Sequence, residues 1–259
     1  MEYTLNSYNK SICIVLPAFN AEKTLKRTFE HIPPNLRSNI ILVDDCSTDK
    51  TVEISESLGI KTFIHNRNLG YGGNQKTCYQ KALESNAEVI VMLHPDFQYD
   101  SRVVGIMADL ILLGICDVIL GNRIRTRREA LDGGMPIWKY LLNRSSTFIE
   151  NLVLGQSIGD FHSGLRAYKR EVLENLPFEK NSDDFAFDQE LLVQAIHAKY
   201  RIGDIPVPVR YLEDSSSINL SRSLRYGVGG FMAVIKFVLN RTIGLKFEIF
   251  SSTMNRRNH

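Results

Sequence analysis

Residues 40–51, IILVDDCSTDKT, constrain this chain more than any other stretch. An apolar run without polar alternation predicts a strand buried on both faces, as in a parallel sheet. The run stops at Asp44 and Asp45, a polar turn follows, and a helical pattern begins at Thr51. Carboxylates at the carboxyl end of such a strand stand where open α/β sheets bind ligands. There Asp45 can accept hydrogen bonds from a base N–H or a ribose hydroxyl, whereas Asp49 or Ser47 reads as a cap of the next helix.

The same grammar repeats. Strands are expected over 11–16 (ended by Pro17), 40–43, 61–64 and 88–93, and helices over 20–31 (starting near Asn20), 51–58 and 74–85. A helix over 103–113 and a strand over 117–120 continue the alternation. After Gly121 it loosens into a basic, glycine-containing loop over 123–135, then a helix over 136–154 behind Pro136. A strand-like or irregular segment over 160–168 follows, then helices over 170–175 and 188–199. An extended segment over 201–211, whose prolines suit a sheet edge, precedes a helix over 224–239. The pattern predicts an α/β fold: a Rossmann-like, mostly parallel sheet flanked by helices, wound with right-handed crossovers.

At 259 residues the chain can build one large domain with a sizeable core. The net charge of +2 gives no push toward nucleic acid, and no nucleic-acid partner is expected. Cys13, Cys46, Cys78 and Cys116 lie far apart without metal-ligand spacing and read as reduced thiols of a cytoplasmic protein. The N-terminus lacks the apolar core of a signal peptide, and the apolar region 103–120 is broken by Asp109 and Asp117, so no membrane span is expected. Two segments can lie at headgroup level: 226–239, and the stretch of Trp138, Lys139, Tyr140, Leu141, Leu142 and Arg144. Peripheral contact with the inner face of a membrane, a core helix and a homo-oligomer contact are all open for them.

The fourth strand ends in His94-Pro95-Asp96-Phe97-Gln98, on the same rim as Asp45. In an extended stretch the side chains of Asp96 and Gln98 point the same way. Oxygen ligands of this kind suit Mg²⁺ or Mn²⁺, usually shared with substrate phosphates. A solvated turn is the alternative.

Taken in order, Pro17-Ala18-Phe19-Asn20, Val43-Asp44-Asp45, the glycine-rich 68–73, His94-Pro95-Asp96-Phe97-Gln98 and Gly121-Asn122-Arg123 form a series. It resembles the family 2 glycosyltransferases of the GT-A fold, and most closely their dolichol- or polyprenyl-phosphate sugar synthase branch. Downstream, Asp160-Phe161-His162-Ser163-Gly164-Leu165-Arg166-Ala167 is similar to that branch's D-x-x-(S/T/C)-G-F-R-A segment. Ile205-Pro206-Val207, Arg210 and Ser216-Ser217-Ile218 are similar to its IPV…R…S-K-L segment. The resemblance covers about residues 11–240 as one domain, with a nucleotide-binding half over about 11–123, an acceptor half over about 124–240 and a tail from 241.

The resemblance implies an inverting, metal-dependent transfer of a hexose from a UDP- or GDP-sugar to a polyprenyl phosphate or related lipid-linked acceptor. Pro17, Phe19, Val43, Asp45 and Pro95 would surround the nucleotide. Asp96 and Gln98 would ligate Mg²⁺ or Mn²⁺, with Lys76, Arg123 and Arg210 near the phosphates. Asp188, Glu190 and Asp160 are the carboxylates that could serve as base toward a sugar hydroxyl; a phosphate acceptor needs none. The chain departs from the pattern at three places. His94 replaces the first Asp of DxD and could ligate Mn²⁺ or merely pack, Ala21 replaces a Glu, and Ser217 replaces a Lys. Competing readings are a sugar-to-sugar transferase for a surface polysaccharide and a non-catalytic nucleotide-sugar binding protein. A Rossmann-type oxidoreductase is disfavoured because no GxGxxG follows the first strand.

Overall fold

In a computed structural model, residues 11–124, 126–132, 134–210 and 220–251 are described. The N-terminal segment, Arg125, Ser216, Ser217, Ile218, Arg256 and Arg257 lie outside the described residues. A seven-stranded sheet runs in the order β3-β2-β1-β4-β6-β5-β7. Its strands are β1 Ile12–Ala18, β2 Ile40–Asp44, β3 Lys61–Ile64, β4 Val89–Met92, β5 Val118–Asn122, β6 Arg166–Lys169 and β7 Ile202–Pro206. All neighbours pair parallel except β6, which runs antiparallel between β4 and β5. β5 therefore points the same way as β4, and the turns after β1, β2, β4 and β5 share one rim.

The unalternating apolar strands supply both faces of the core. In β1, Cys13 and Val15 join one buried cluster while Ile14 and Leu16 join the other. The first cluster is closed by helices α3 (Tyr71–Leu83), α7 (Arg170–Asn175), α8 (Phe187–His197) and α9 (Leu220–Ile243). Helices α1 (Leu25–His31) and α4 (Val104–Leu112) cover the second. Helix α2 (Thr51–Ser57) lies beside β3, and α5 (Arg127–Asp132) and α6 (Ile137–Leu154) follow β5.

Several expectations are corrected. β1 does not end at Pro17, which pairs with Val43. The β4 side of the ladder closes one step earlier, where Leu93 N–H donates to the Val15 carbonyl at 3.0 Å, so the missing proline N–H has no bond to lose. Asn20 does not cap α1. It sits at φ 51°, its Oδ1 accepts from Thr48 N–H at 2.9 Å and its own N–H donates to Ser47 Oγ at 2.8 Å, clasping the β1 and β2 turns together. The segment 123–135 holds α5 rather than only loop. Beyond 241, α9 continues to Ile243, and buried Ile249 gives its carbonyl to Gln194 Nε2 at 2.7 Å, so this stretch docks on α8.

Candidate active site

Asp44 and Asp45, which carried the reading of the sequence, divide the work of building the rim. The Asp44 carboxylate accepts from Ser47 N–H at 2.9 Å and from its hydroxyl, folding the turn after β2. Asp45, buried, accepts from His65 Nδ1–H at 2.8 Å, Leu69 N–H at 2.8 Å and Gly70 N–H at 3.0 Å. It thereby pins the glycine-rich loop to the strand end. Asp49 accepts from Thr51 N–H at 3.0 Å and Glu22 N–H at 3.0 Å, but the cap position of α2 is Lys50, so Asp49 joins two turns from one residue outside the cap expected of it. Asn74 spans the neighbouring strand ends, donating to Ala18 O at 3.3 Å and Val43 O at 3.1 Å. Above Ala18, the ring of Phe19 is 53% exposed, an apolar face offered at the mouth of the rim.

Helix α3 begins three residues earlier than the sequence suggested. Gly70, at φ 87°, turns the chain, and Tyr71, Gly72 and Gly73 form the first turn. A Cβ on Gly72 would run into the Ser182 carbonyl, so only glycine lets the 182–183 backbone close over the helix start, where Asp183 O accepts from Gly72 N–H at 2.8 Å. That start delivers Tyr71 to the rim. Its hydroxyl donates to Asp188 Oδ2 at 2.7 Å and lies 2.9 Å from His94 Nε2, and its ring stacks on the imidazole at 5.2 Å.

Residues 94–98 form a turn rather than the extended stretch that would align Asp96 with Gln98. Phe97 takes φ 58° and is buried between the guanidinium groups of Arg27 and Arg210, 4.4 and 4.8 Å from its ring centre. Asp96 Oδ1 accepts from Gln98 N–H at 2.9 Å. Burial raises the Asp96 carboxyl above its ordinary range, partly offset by the neighbouring His94. Arg210 donates its backbone N–H to Gln98 O at 2.9 Å and stands 3.6 Å from Asp100, while its buried Nη1 has no hydrogen-bond partner among the described residues.

Beyond β5 lies a second polar cluster, more deeply buried. Arg123 Nε donates to Asp160 Oδ2 at 2.7 Å, and Asn143 Nδ2 to Asp160 Oδ1 at 3.0 Å. Burial alone would raise the Asp160 carboxyl, but Arg123 and Asn143 hold it far below the usual range. Arg166, fully buried, donates to the carbonyls of Ser163 at 2.8 Å, Asp188 at 2.6 Å and Phe161 at 3.0 Å, tying the β6 turn to the start of α8. Under it, burial and the nearby Asp160 charge push Glu150 up to about 8, and burial pulls His162 down to about 4.

Residues 13–176 match the family model described as Glycosyl transferase family 2, more than half of the chain. The chain belongs to glycosyl transferase family 2. It is 28% identical over 224 residues to a UDP-N-acetylglucosamine–dolichyl-phosphate N-acetylglucosaminyltransferase of Methanococcus voltae, covering 80% of this chain and 88% of that one. A dolichyl-phosphate hexose transferase of Haloferax volcanii is 26% identical over 211 residues, 81% of this chain and 85% of that one. Among solved structures, glucosyl-3-phosphoglycerate synthase from Mycobacterium tuberculosis in complex with Mn²⁺, uridine diphosphate and glucosyl-3-phosphoglycerate superposes with a TM-score of 0.62 at 17% identity, over 95% of this chain and 86% of that one. The fold is GT-A, and the chain is a glycosyltransferase.

Not every residue expected at this glycosyltransferase's site is brought to it. Lys76 is withdrawn: its Nζ donates to Asn181 O at 2.5 Å and Asp183 Oδ1 at 2.6 Å, clamping the 181–183 segment instead of facing phosphate. Glu190 parts from Asp188, because two residues along a helix are about 200° apart. Its carboxylate accepts from Ser182 N–H at 2.6 Å and lies 3.7 Å from Lys236. Asp160 has its oxygens committed to Arg123, Asn143 and His162 N–H, so it positions Arg123 and cannot act as a free base. Sequence reasoning missed Tyr71, Asn74 and His65. A tyrosine among four glycines and asparagines is the signal that could have pointed to the first.

Proposed function

We propose that this glycosyltransferase moves a hexose, with inversion, from a UDP- or GDP-sugar to a lipid-linked phosphate. The observation that carries the acceptor class is the state of the carboxylates. Asp160 is saturated, Glu190 is turned away, and Asp188 Oδ2 is taken by Tyr71. A phosphate acceptor is already anionic and needs no base. A sugar-hydroxyl acceptor is the second reading, favoured by Asp188 Oδ1, which is buried and without a hydrogen-bond partner among the described residues.

For the donor, Phe19 offers a ring face to the base, and Pro17, the Val43 backbone, Asp45 and Pro95, at the neighbouring strand ends, would surround it. Arg123 and Arg210 supply positive charge for the diphosphate, Arg123 oriented by Asp160 and Arg210 with an Nη1 donor that no group among the described residues satisfies. Among the described residues no three of His, Cys, Asp and Glu gather into a metal cage. His94, Asp96 and Gln98 on one turn fit a cation held in part by the donor phosphates. A divalent ion held there would supply Lewis-acid neutralisation of the departing nucleoside diphosphate. Asp96 would be its carboxylate ligand.

For the acceptor, no helix among the described residues is long and apolar enough to cross a membrane. Helix α6 nonetheless exposes Ile137, Trp138, Leu141, Leu142, Phe148 and Leu152, while Asn143 and Arg144 of the same helix bond to Asp160 and Gly159. That apolar stripe, beside the Arg123 cluster, suits a peripheral seat at a lipid surface. The test is a donor panel (UDP-glucose, UDP-N-acetylglucosamine, GDP-mannose) with polyprenyl phosphate and with oligosaccharide acceptors, Mn²⁺ present, read by mass spectrometry. A sugar on the lipid phosphate is the expected product. Transfer to oligosaccharide alone favours the second reading, and no transfer to either refutes the acceptor assignment.

A further inference from the structure

We propose that Tyr71 and Asp188 are positioning residues that fix the tautomer of His94, so that its Nδ1 serves as a cation ligand where the family pattern has a carboxylate. The proton count decides the tautomer. An ionised carboxylate only accepts, and a tyrosine hydroxyl has one proton to give. With Tyr71 Oη 2.7 Å from Asp188 Oδ2, that proton goes to the carboxylate, and the hydroxyl oxygen is left to accept. His94 Nε2, 2.9 Å from the same oxygen, must then carry hydrogen and donate. In the neutral ring Nδ1 is then bare, a lone pair with no hydrogen-bond partner among the described residues.

Packing removes the freedom to reverse this. Tyr71 stacks on His94 at 5.2 Å with 21° between the rings and leans on Phe185 at 4.6 Å. On the other side, a Cβ at Gly164 would sit 3.0 Å from His94 Cδ2, so glycine admits the ring where it stands. A carboxylate that orients a histidine through a hydrogen-bonded relay is the usual second layer of metal sites. The relay also accounts for Asp188, which a phosphate acceptor leaves without a basic task. The inference rests on the reading of this rim as a nucleotide-diphosphate site. It adds a selectivity: a neutral imidazole ligand suits first-row transition ions better than Mg²⁺, so replacing Asp by His tilts the site away from Mg²⁺.

The test uses the full chain and Mn²⁺ itself. Nitrogen NMR of histidine-labelled protein, without nucleotide, should show His94 protonated at Nε2 and bare at Nδ1, and Mn²⁺ should broaden its ring signals. Tyr71→Phe keeps the ring stack and removes the relay, and should lower Mn²⁺ affinity by about tenfold by electron paramagnetic resonance. His94→Asp should bring Mg²⁺ affinity up to that of Mn²⁺. The opposite tautomer, absence of Mn²⁺ broadening, or unchanged Mn²⁺ binding in Tyr71→Phe would each overturn the proposal. UDP binding is measured alongside. If UDP does not bind, with or without added cation, the donor reading fails, while tautomer and Mn²⁺ affinity still decide this inference.

Discussion

The two polar regions of this glycosyltransferase are built on opposite plans. Around β1 and β2 the acidic groups are spent on nearby backbone N–H groups: Asp44 on Ser47, Asp45 on Leu69 and Gly70, Asp49 on Thr51 and Glu22. These bonds fold the turns and join them to one another, and the rim is complete before any ligand arrives. Around β5, β6 and α6 the titratable groups lie under the surface and face other side chains, as Arg123 faces Asp160 and Glu150 lies 3.6 Å from His162. Several polar atoms there, Asn143 Oδ1, Thr147 Oγ1, Glu150 Oε2 and Gln189 Oε1, are buried without a hydrogen bond among the described residues. A satisfied rim holds its shape cheaply. A buried, under-satisfied cluster is costly when disturbed and sensitive to pH.

The largest effect should therefore come from the second region. Asp160→Ala leaves Arg123 buried without its counter-charge, and urea unfolding should report a loss of about 3–5 kcal/mol. An equal loss in Asp49→Ala, on the exposed rim, would erase the contrast. Next in size is a change at the rim that spares the fold. Asp96→Ala should cut donor turnover by about a hundredfold or more at unchanged melting temperature. Retained activity would remove Asp96 from the metal-binding role.

The pH response sharpens the same contrast. Glu150, held at about 8, binds a proton in the folded state that it sheds from about 4.5 upward when unfolded, so stability falls as pH rises toward 8. His162, held at about 4 against an ordinary 6.5, works in the other direction and only below 6.5. The fall should thus stand clear between pH 6.5 and 8, at roughly 1–2 kcal/mol. Glu150→Gln keeps an acceptor for Gln189 and should flatten it. A slope unchanged in that variant would place the titration elsewhere.

The first region was far more legible in the sequence than the second. The strand over 40–43 could be read almost residue by residue, since a buried parallel strand is an apolar run and its ends are marked by Asp, Gly or Pro. Pro17 misled because the tolerance of a proline depends on which side of a strand the ladder has closed, a fact of pairing rather than of sequence. The relay of Tyr71, His94 and Asp188 joins residues up to 117 positions apart, beyond the reach of any spacing rule. Arg166 was invisible as a buried residue because an arginine in a strand looks like a solvent-facing one. Its burial follows from the antiparallel insertion of β6 between two strands that point the other way.

Arg210 belongs to neither plan and gives the smallest effect. It stands over Phe97 at 4.8 Å and 3.6 Å from Asp100, but Asp100 already receives Arg102 Nε at 2.9 Å. The Arg210 charge is therefore only partly spent within the protein, and its Nη1 still lacks an acceptor among the described residues. If a diphosphate accepts that bond, Arg210→Ala should weaken UDP binding by about tenfold in calorimetry, the worth of one charge-assisted hydrogen bond of about 1.5 kcal/mol. Arg210→Lys should recover little of it, since an ammonium cannot both cover the Phe97 ring and reach the phosphate as a planar fork does. Undiminished UDP affinity in Arg210→Ala would assign the residue to the support of the Phe97 turn alone.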